Sequence, residues 1–228
     1  MMLKGDMKYK IAEKFVSING EGKSSGQLST FIRFAGCNLN CSYCDTKWVN
    51  QPDVEYELMT AEEIYKYIKE TGIINVTITG GEPLIQNNIF ELIKSLSEDN
   101  SLNIEIETNG SVSIEPYMIL NNDSFKFTMD YKLPFSTMEN RMLVDNFWHL
   151  RGKDTVKFVV SNLTDLLKAE EIISKYRLVE KTNVYFSPVY GQISLTEIVD
   201  FMKDKKMNKV NLQVQLHKII WGSETKGV

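Results

Sequence analysis

The sequence predicts an α/β fold built on a parallel sheet. Two observations predict it. Short runs of β-branched or aromatic residues alternate with stretches of helical period. In addition, nearly every chemically unusual segment falls just after a strand-like run. Alternation at this spacing implies βαβ units, whose ligand sites lie along the carboxyl edge of the sheet. A chain of 228 residues allows one large domain or two small ones, and no break in composition or fixed short repeat divides it. One domain over 1–228 is therefore expected.

Residues 1–8, with Lys4, Asp6 and Lys8, read as a loosely held terminus. Strands are expected over 10–18, 30–35, 75–79, 103–108, 126–131, 155–161, 183–187 and 209–216. Thr60 and Glu63 form a capping box ahead of Ile64, Tyr67 and Ile68, and Gly72 stops that helix. Further helical stripes run through Ile89, Leu92, Ile93 and Leu96, through Leu166, Ala169, Ile173 and Tyr176, and through Leu195, Ile198, Val199 and Met202. Residues 138–150 are expected to be helical as well. Seven units after the first strand would close, or nearly close, a barrel smaller than the eight-unit form; an open doubly wound sheet fits the same pattern.

Composition excludes several classes. Apolar residues make up 43% and charged residues 25%, which is globular rather than disordered. The formal net charge of −4 provides no general basic excess for gripping nucleic acid. No apolar run approaches the ~18 residues of a membrane span, and the first ten residues lack the apolar core of a signal peptide. The expectation is a cytoplasmic protein without nucleic-acid or membrane partners.

The three cysteines, Cys37, Cys41 and Cys44, all lie in GCNLNCSYCDT with Cys-x-x-x-Cys-x-x-Cys spacing. An odd count and such short loops argue against disulfides, so the grouping reads as a metal or cluster site in a reducing compartment. Thiolates suit zinc or an iron–sulfur cluster. Structural zinc is usually closed by four protein ligands, yet there is no fourth Cys, and His149 and His217 lie far downstream. Three thiolates on a four-iron cluster would leave one iron open. A non-catalytic module holding zinc through three Cys and a His remains the alternative. Other pointers are Gly80-Gly81, which permit close backbone approach, and Glu82, whose carboxylate can accept from an ammonium. Arg33, flanked by Phe31, Ile32 and Phe34, needs an acidic partner if it points inward. His149, beside Trp148, reads as structural.

The cysteine spacing resembles that of the radical S-adenosylmethionine (SAM) enzymes. Tyr43 occupies the aromatic position of their motif, and Thr79-Gly80-Gly81-Glu82-Pro83 resembles their motif for the SAM amino group. A narrower resemblance covers residues 15 to 221. FVSINGEG (15–22), FIRFAGCNLNCSYCDT (31–46), TGGEP, ETNG (107–110), DYKLP (130–134) and QLHKIIW (215–221) occur in the order found in the 7-carboxy-7-deazaguanine synthases.

That resemblance implies a partial, TIM-like β/α barrel of the radical SAM type, with six to seven βα units. It implies a [4Fe–4S] cluster on Cys37, Cys41 and Cys44, with SAM on the open iron. Tyr43 would lie against the adenine, and Gly81 with Glu82 at the methionyl end. Asp130, Tyr131 and Lys132 match one SAM-contacting segment; Ser187, Pro188, Val189 and Tyr190 match another. For a pterin substrate it implies backbone groups of Ile18, Asn19 and Gly20, a carboxylate clamp at Arg33, ring contacts from Thr79 and Glu107, and His217. Thr46 would bind Mg²⁺ through its hydroxyl. Many relatives have Gln at position 19 and Ser-Pro-Lys at 130–132. Some end near here in a Pro whose carboxyl group helps bind substrate, whereas Gly222–Val228 runs on, so no terminal residue is assigned a role.

The implied reaction begins when an external one-electron donor, a flavodoxin or ferredoxin, reduces the cluster. SAM is then cleaved to methionine and a 5′-deoxyadenosyl radical. The radical takes a hydrogen from 6-carboxy-5,6,7,8-tetrahydropterin, whose ring contracts and loses ammonia to give 7-carboxy-7-deazaguanine, a precursor of queuosine-type bases. A homodimer is implied too, and Ile219–Trp221 with an exposed strand edge would suit its interface. A glycyl-radical enzyme activase would share the cysteine spacing and Gly-Gly-Glu-Pro, but would not need Asn19-Gly20-Glu21-Gly22, Arg33 or Thr46.

Overall fold

The computed structural model describes residues 7–120, 122–223 and 225–228. Of the terminus expected to be loose, residues 1–6 lie outside the described residues, and Lys8 already begins a strand. β1 (Lys8–Ile18) pairs antiparallel with β2 (Leu28–Phe34) on one side and β3 (Glu57–Thr60) on the other. From β2 onward all neighbours are parallel: β4 (Asn75–Gly80), β5 (Asn103–Thr108), β6 (Phe125–Tyr131), β7 (Thr155–Val160), β8 (Asn183–Pro188) and β9 (Val210–Leu212). Together they make one nine-stranded sheet in the order β3-β1-β2-β4-β5-β6-β7-β8-β9. The parallel strands follow chain order without a reversal, which removes the doubly wound alternative. β3 and β9 stand at opposite edges, and the barrel is incomplete.

Helices α1 (Ala61–Thr71), α2 (Ile89–Ser97), α3 (Leu163–Tyr176) and α4 (Leu195–Asp204) return the chain between strands, and α5 (Leu216–Ile220) follows β9. α1 begins with both halves of the Thr60–Glu63 capping box and ends at Gly72, whose φ of 68° is left-handed. Three of the predicted stripes are buried at Ile64 and Ile68, at Leu92, Ile93 and Leu96, and at Leu166, Ala169 and Ile173; of the fourth only Ile198 is buried, while Leu195 and Val199 are exposed.

The helices pack on the outer face of the sheet. Side chains alternate along a strand, so Val76 and Ile78, Ile104 and Ile106, Phe127 and Met129, and Val156 and Phe158 face the helices and join one core. The intervening positions are Thr77 and Thr79, Glu105 and Glu107, Thr128 and Asp130, and Lys157. A parallel sheet covered on both faces by apolar layers would be apolar at both sets of positions. This polar inner face is what makes the concave side a binding site.

Three expectations change. Residues 138–150 do not form an α-helix but two short 3₁₀ turns, Glu139–Arg141 and Val144–Trp148. The buried Asn146 side chain accepts from Ile114 N and donates to the carbonyls of Gly110 and Val112, so it serves the neighbouring loop. The last strand covers only Val210–Leu212 instead of 209–216, because the chain leaves the sheet after Gln213, whose N still bonds to Phe186 O, and Leu216 N bonds to Gly20 O at the start of α5. β3 was not expected; only Met59 of Glu57–Thr60 is buried, which leaves no apolar alternation to read.

Candidate active site

Along the carboxyl edge of the parallel strands lies a cavity of about 640 Å³. That is within the range of small-molecule and cofactor sites. The cysteine loop after β2 forms one wall. Gly36 N bonds to Val49 O (2.8 Å), Cys37 N to Asn50 Oδ1 (2.9 Å) and Ser42 N to Ser136 O (3.1 Å), so all three cysteines ride on a braced loop.

All three thiols line the cavity. Cys37 Sγ accepts from Leu39 N (3.4 Å) and Asn109 Nδ2 (3.7 Å), and Cys44 Sγ lies 3.5 Å from Thr46 Oγ1. Burial pushes the Cys41 thiol up to about 11, with the Lys132 ammonium pulling the other way. Such a thiol ionises only against added positive charge, as an iron–sulfur cluster supplies. Among the described residues no three His, Cys, Asp or Glu gather around a point that suits a single ion. Three cysteines on one cavity wall, Cys37 with two N–H donors to its sulfur, fit a cluster in which each thiolate would hold a separate iron.

The Gly-Gly-Glu-Pro turn packs directly under this loop. Gly81 N bonds to Phe34 O (3.1 Å) and Glu82 N to Gly36 O (3.0 Å). A Cβ on Gly81 would lie 2.2 Å from Gly36 O and 2.7 Å from Cys37 Cβ. Gly81 lines the cavity, but Glu82 does not. Its carboxylate is fully buried and accepts from Leu84 N (3.0 Å), Thr108 Oγ1 (2.9 Å) and Asn109 N (2.6 Å). Glu82 thus ties the ends of β4 and β5 together, directly behind Gly81, which does line the cavity.

On the opposite wall, the loop after β1 brings Ile18, Asn19 and Gly20 to the cavity. Asn19 Oδ1 accepts from Thr77 Oγ1 (2.9 Å). A Cβ on Gly20 would lie 2.4 Å from His217 Nδ1, so these two expected residues are in contact. His217 sits in α5, not at a strand end, and burial draws its imidazole below the usual value, leaving it neutral at pH 7. Arg33 has the acidic partner its surroundings demand: Nε lies 3.0 Å from Glu13 Oε2. Thr79 Oγ1 donates to Glu107 Oε2 (2.7 Å), whose carboxyl is raised by burial despite nearby Lys157.

Tyr43, Asp130, Lys132, Pro188, Val189 and Tyr190 complete the lining as expected. The Tyr43 ring stacks on Phe135 at 6.3 Å, with Lys132 Nζ 5.6 Å from its centroid. Lys132 Nζ also pairs with Asp130 Oδ2 (2.7 Å). The Tyr43 hydroxyl and Asp130 Oδ1 are buried with no hydrogen-bond partner among the described residues, as groups awaiting a polar ligand would be. Two other expected residues do not line the cavity. Tyr131 follows Asp130, so its side chain takes the opposite face and packs on Phe147 and Phe158. Ser187 is fully buried and donates to Glu21 Oε1 (2.6 Å), reaching the site only through that carboxylate.

Lining residues that were given no site role from the sequence include Glu21, Lys157, Asp45 and Asn109. Glu21 accepts from Lys157 Nζ (2.8 Å), Ser187 and Gln213 Nε2 (3.2 Å). The legible signal was a lysine within the apolar strand TVKFVV and a glutamate between two loop glycines. Ser223 and Thr225–Val228 also reach the cavity, so the extended terminus lies at its mouth.

A partial barrel with a three-thiol loop at its carboxyl edge defines a radical SAM enzyme, and the profile of the radical SAM superfamily matches residues 31–128. The 7-carboxy-7-deazaguanine synthase of Clostridium acetobutylicum is 63% identical over 97% of this chain and all of its own length. That of Thermoplasma acidophilum is 35% identical, covering 93% and 97% of the two chains. The crystal structure of QueE from Escherichia coli superposes with a TM-score of 0.72 at 21% identity, covering 92% of this chain and 95% of that one, and agrees in fold. The chain belongs to the 7-carboxy-7-deazaguanine synthase family. Its cofactors are accordingly a [4Fe–4S] cluster and SAM, with a small-molecule substrate and an external reductant. Among the described residues no helix is long and apolar enough to cross a membrane.

Proposed function

We propose that this enzyme converts 6-carboxy-5,6,7,8-tetrahydropterin to 7-carboxy-7-deazaguanine with loss of ammonia, in 7-deazapurine biosynthesis of the queuosine type. One observation carries the reading: a single cavity joins the three-thiol loop to a wall bearing Arg33, Asn19, the Thr79–Glu107 pair and His217. When bound, the cluster and SAM supply the radical that removes hydrogen from the pterin.

The protein's own residues do the placing. Cys37, Cys41 and Cys44 hold the cluster, and Thr46 offers Mg²⁺ a hydroxyl beside the substrate. Tyr43, Gly81, Asp130, Lys132, Pro188, Val189 and Tyr190 hold SAM, with Asp130 Oδ1 and the Tyr43 hydroxyl free to exchange hydrogen bonds with it. Arg33 receives the substrate carboxylate, moving from Glu13 to the stronger bidentate partner. Asn19, Gly20, Thr79, Glu107 and the neutral His217 meet the ring edge. Packing Gly81 under the cysteine loop brings SAM and pterin into one water-poor space, where the reactive carbon and its target hydrogen stay together.

The whole of 1–228 acts as one radical SAM domain in the cytoplasm, with a flavodoxin or ferredoxin as reductant. Dimerisation through the α5 face is supported by Ile219, Ile220 and Trp221, which are 67%, 54% and 41% exposed. The test is anaerobic reconstitution followed by reductant, SAM, Mg²⁺ and carboxytetrahydropterin. A deazaguanine product is expected by mass spectrometry; SAM cleavage without that product would overturn the substrate assignment.

A further inference from the structure

Lys157 is a lysine in the middle of an otherwise apolar strand, and its side chain is only 12% exposed. A buried ammonium is costly unless its charge is matched. Here it is matched twice, by carboxylates from two separate elements that line the cavity. Nζ lies 2.8 Å from Glu21 Oε2, on the loop that carries Asn19 and Gly20, and 3.8 Å from Asp130 Oδ2, at the end of β6. Asp130 and Lys157 are direct partners in the β6–β7 register, so the second contact is built into the sheet.

Each carboxylate is connected onward. Glu21 is also held by Ser187 Oγ and Gln213 Nε2, and Gly22 N bonds to Gln213 Oε1 (2.8 Å), so its position sets the loop over β9. Asp130 shares Oδ2 with Lys132 and keeps Oδ1 without a partner among the described residues. Among the described residues, Lys157 is therefore the one side chain in ionic contact with both Glu21, on the loop after β1, and Asp130, at the end of β6.

We propose that Lys157 is a positioning residue that couples the two ligands, its ammonium holding Glu21 and Asp130 in the arrangement that binds SAM and pterin together. The inference rests on the function proposed above. A ligand donor drawn to Asp130 Oδ1 weakens that carboxylate's hold on Lys157 and commits the ammonium more fully to Glu21. The loop 19–22 is then fixed before the pterin arrives. Coupling of this kind is reciprocal: SAM tightens pterin binding by the factor by which pterin tightens SAM.

The test uses cluster-loaded protein and two probes, SAM and the unreactive oxidised analogue 6-carboxypterin, titrated separately and together by calorimetry and fluorescence. In the unaltered enzyme each ligand is expected to tighten the other by about fivefold or more. K157M should bring that factor to about one while weakening each ligand alone by about tenfold or more. K157R should restore most of the coupling, because it keeps the charge within reach of both carboxylates. Combining K157M with E21Q, which removes the carboxylate left uncompensated, should recover separate binding without recovering the coupling. Mutual tightening that survives in K157M, or that K157R fails to restore, would overturn the proposal. SAM binding without 6-carboxypterin binding in the unaltered enzyme would instead defeat the substrate assignment, and the coupling with it.

Discussion

Gly81 can be tested as the joint between the cofactor loop and the barrel. Its ideal Cβ would sit 2.2 Å from Gly36 O, 2.6 Å from Gly36 C and 2.7 Å from Cys37 Cβ. The two nearest atoms are backbone, with no flexible side-chain end to yield, so Gly81→Ala must drive the segments apart by about 1 Å. The same movement stretches Gly81 N–Phe34 O and Glu82 N–Gly36 O. Overpacking costs about 1–3 kcal/mol and each of the two weakened backbone bonds about 1 kcal/mol, so a loss of about 3–5 kcal/mol is expected. In a chain of this size that lowers the melting temperature of the cluster-free protein by about 6–20 °C. Cluster loading should suffer more, since metal sites tolerate displacements of only about 0.2 Å. The assay is circular-dichroism melting of the cluster-free protein, with iron and sulfide analysis after anaerobic reconstitution. Gly152→Ala, whose Cβ meets open space, is the control. A Gly81→Ala protein with unchanged melting and full iron content would refute the packing argument.

Glu82→Ala should cost about 2–4 kcal/mol in urea unfolding, because the buried amides of Leu84 and Asn109 lose their acceptor; an unchanged midpoint would refute that structural role. His217 predicts a pH effect on stability. Burial lowers its native pKa, so below the usual value near 6.5 the unfolded chain binds the proton first. Its contribution is complete above that value and falls away as pH drops towards the native pKa. His217→Gln should therefore lose less stability than the unaltered protein between about pH 6.5 and 5 in parallel denaturant titrations.

Much of the site could be read without coordinates because its residues carry their signal locally. The cysteine triplet, the glycine pair before Glu82 and the Thr60–Glu63 cap all act over a few positions. Arg33 was legible for another reason: a charge among Phe31, Ile32 and Phe34 must find a partner, and Glu13 supplies it. Lys157 obeyed the same logic inside TVKFVV, yet its partners lie 136 residues back, at Glu21, and across the sheet, at Asp130. A lone lysine in a strand does not name them.

The chain's local patterns suffice for the order of eight of the nine strands, for helices α1 to α4 and for the thiol loop, since capping, periodicity and ligand spacing are short-range properties. Which way each polar residue faces was settled only when the strands assembled. Glu82 follows the end of β4 and Asp130 lies near the end of β6, but one is buried and clasped by three protein donors while the other lines the cavity with one oxygen unpartnered among the described residues. The physical cause is desolvation. A buried polar atom must be paired by whatever the fold brings near it, and that neighbour comes from the distant chain.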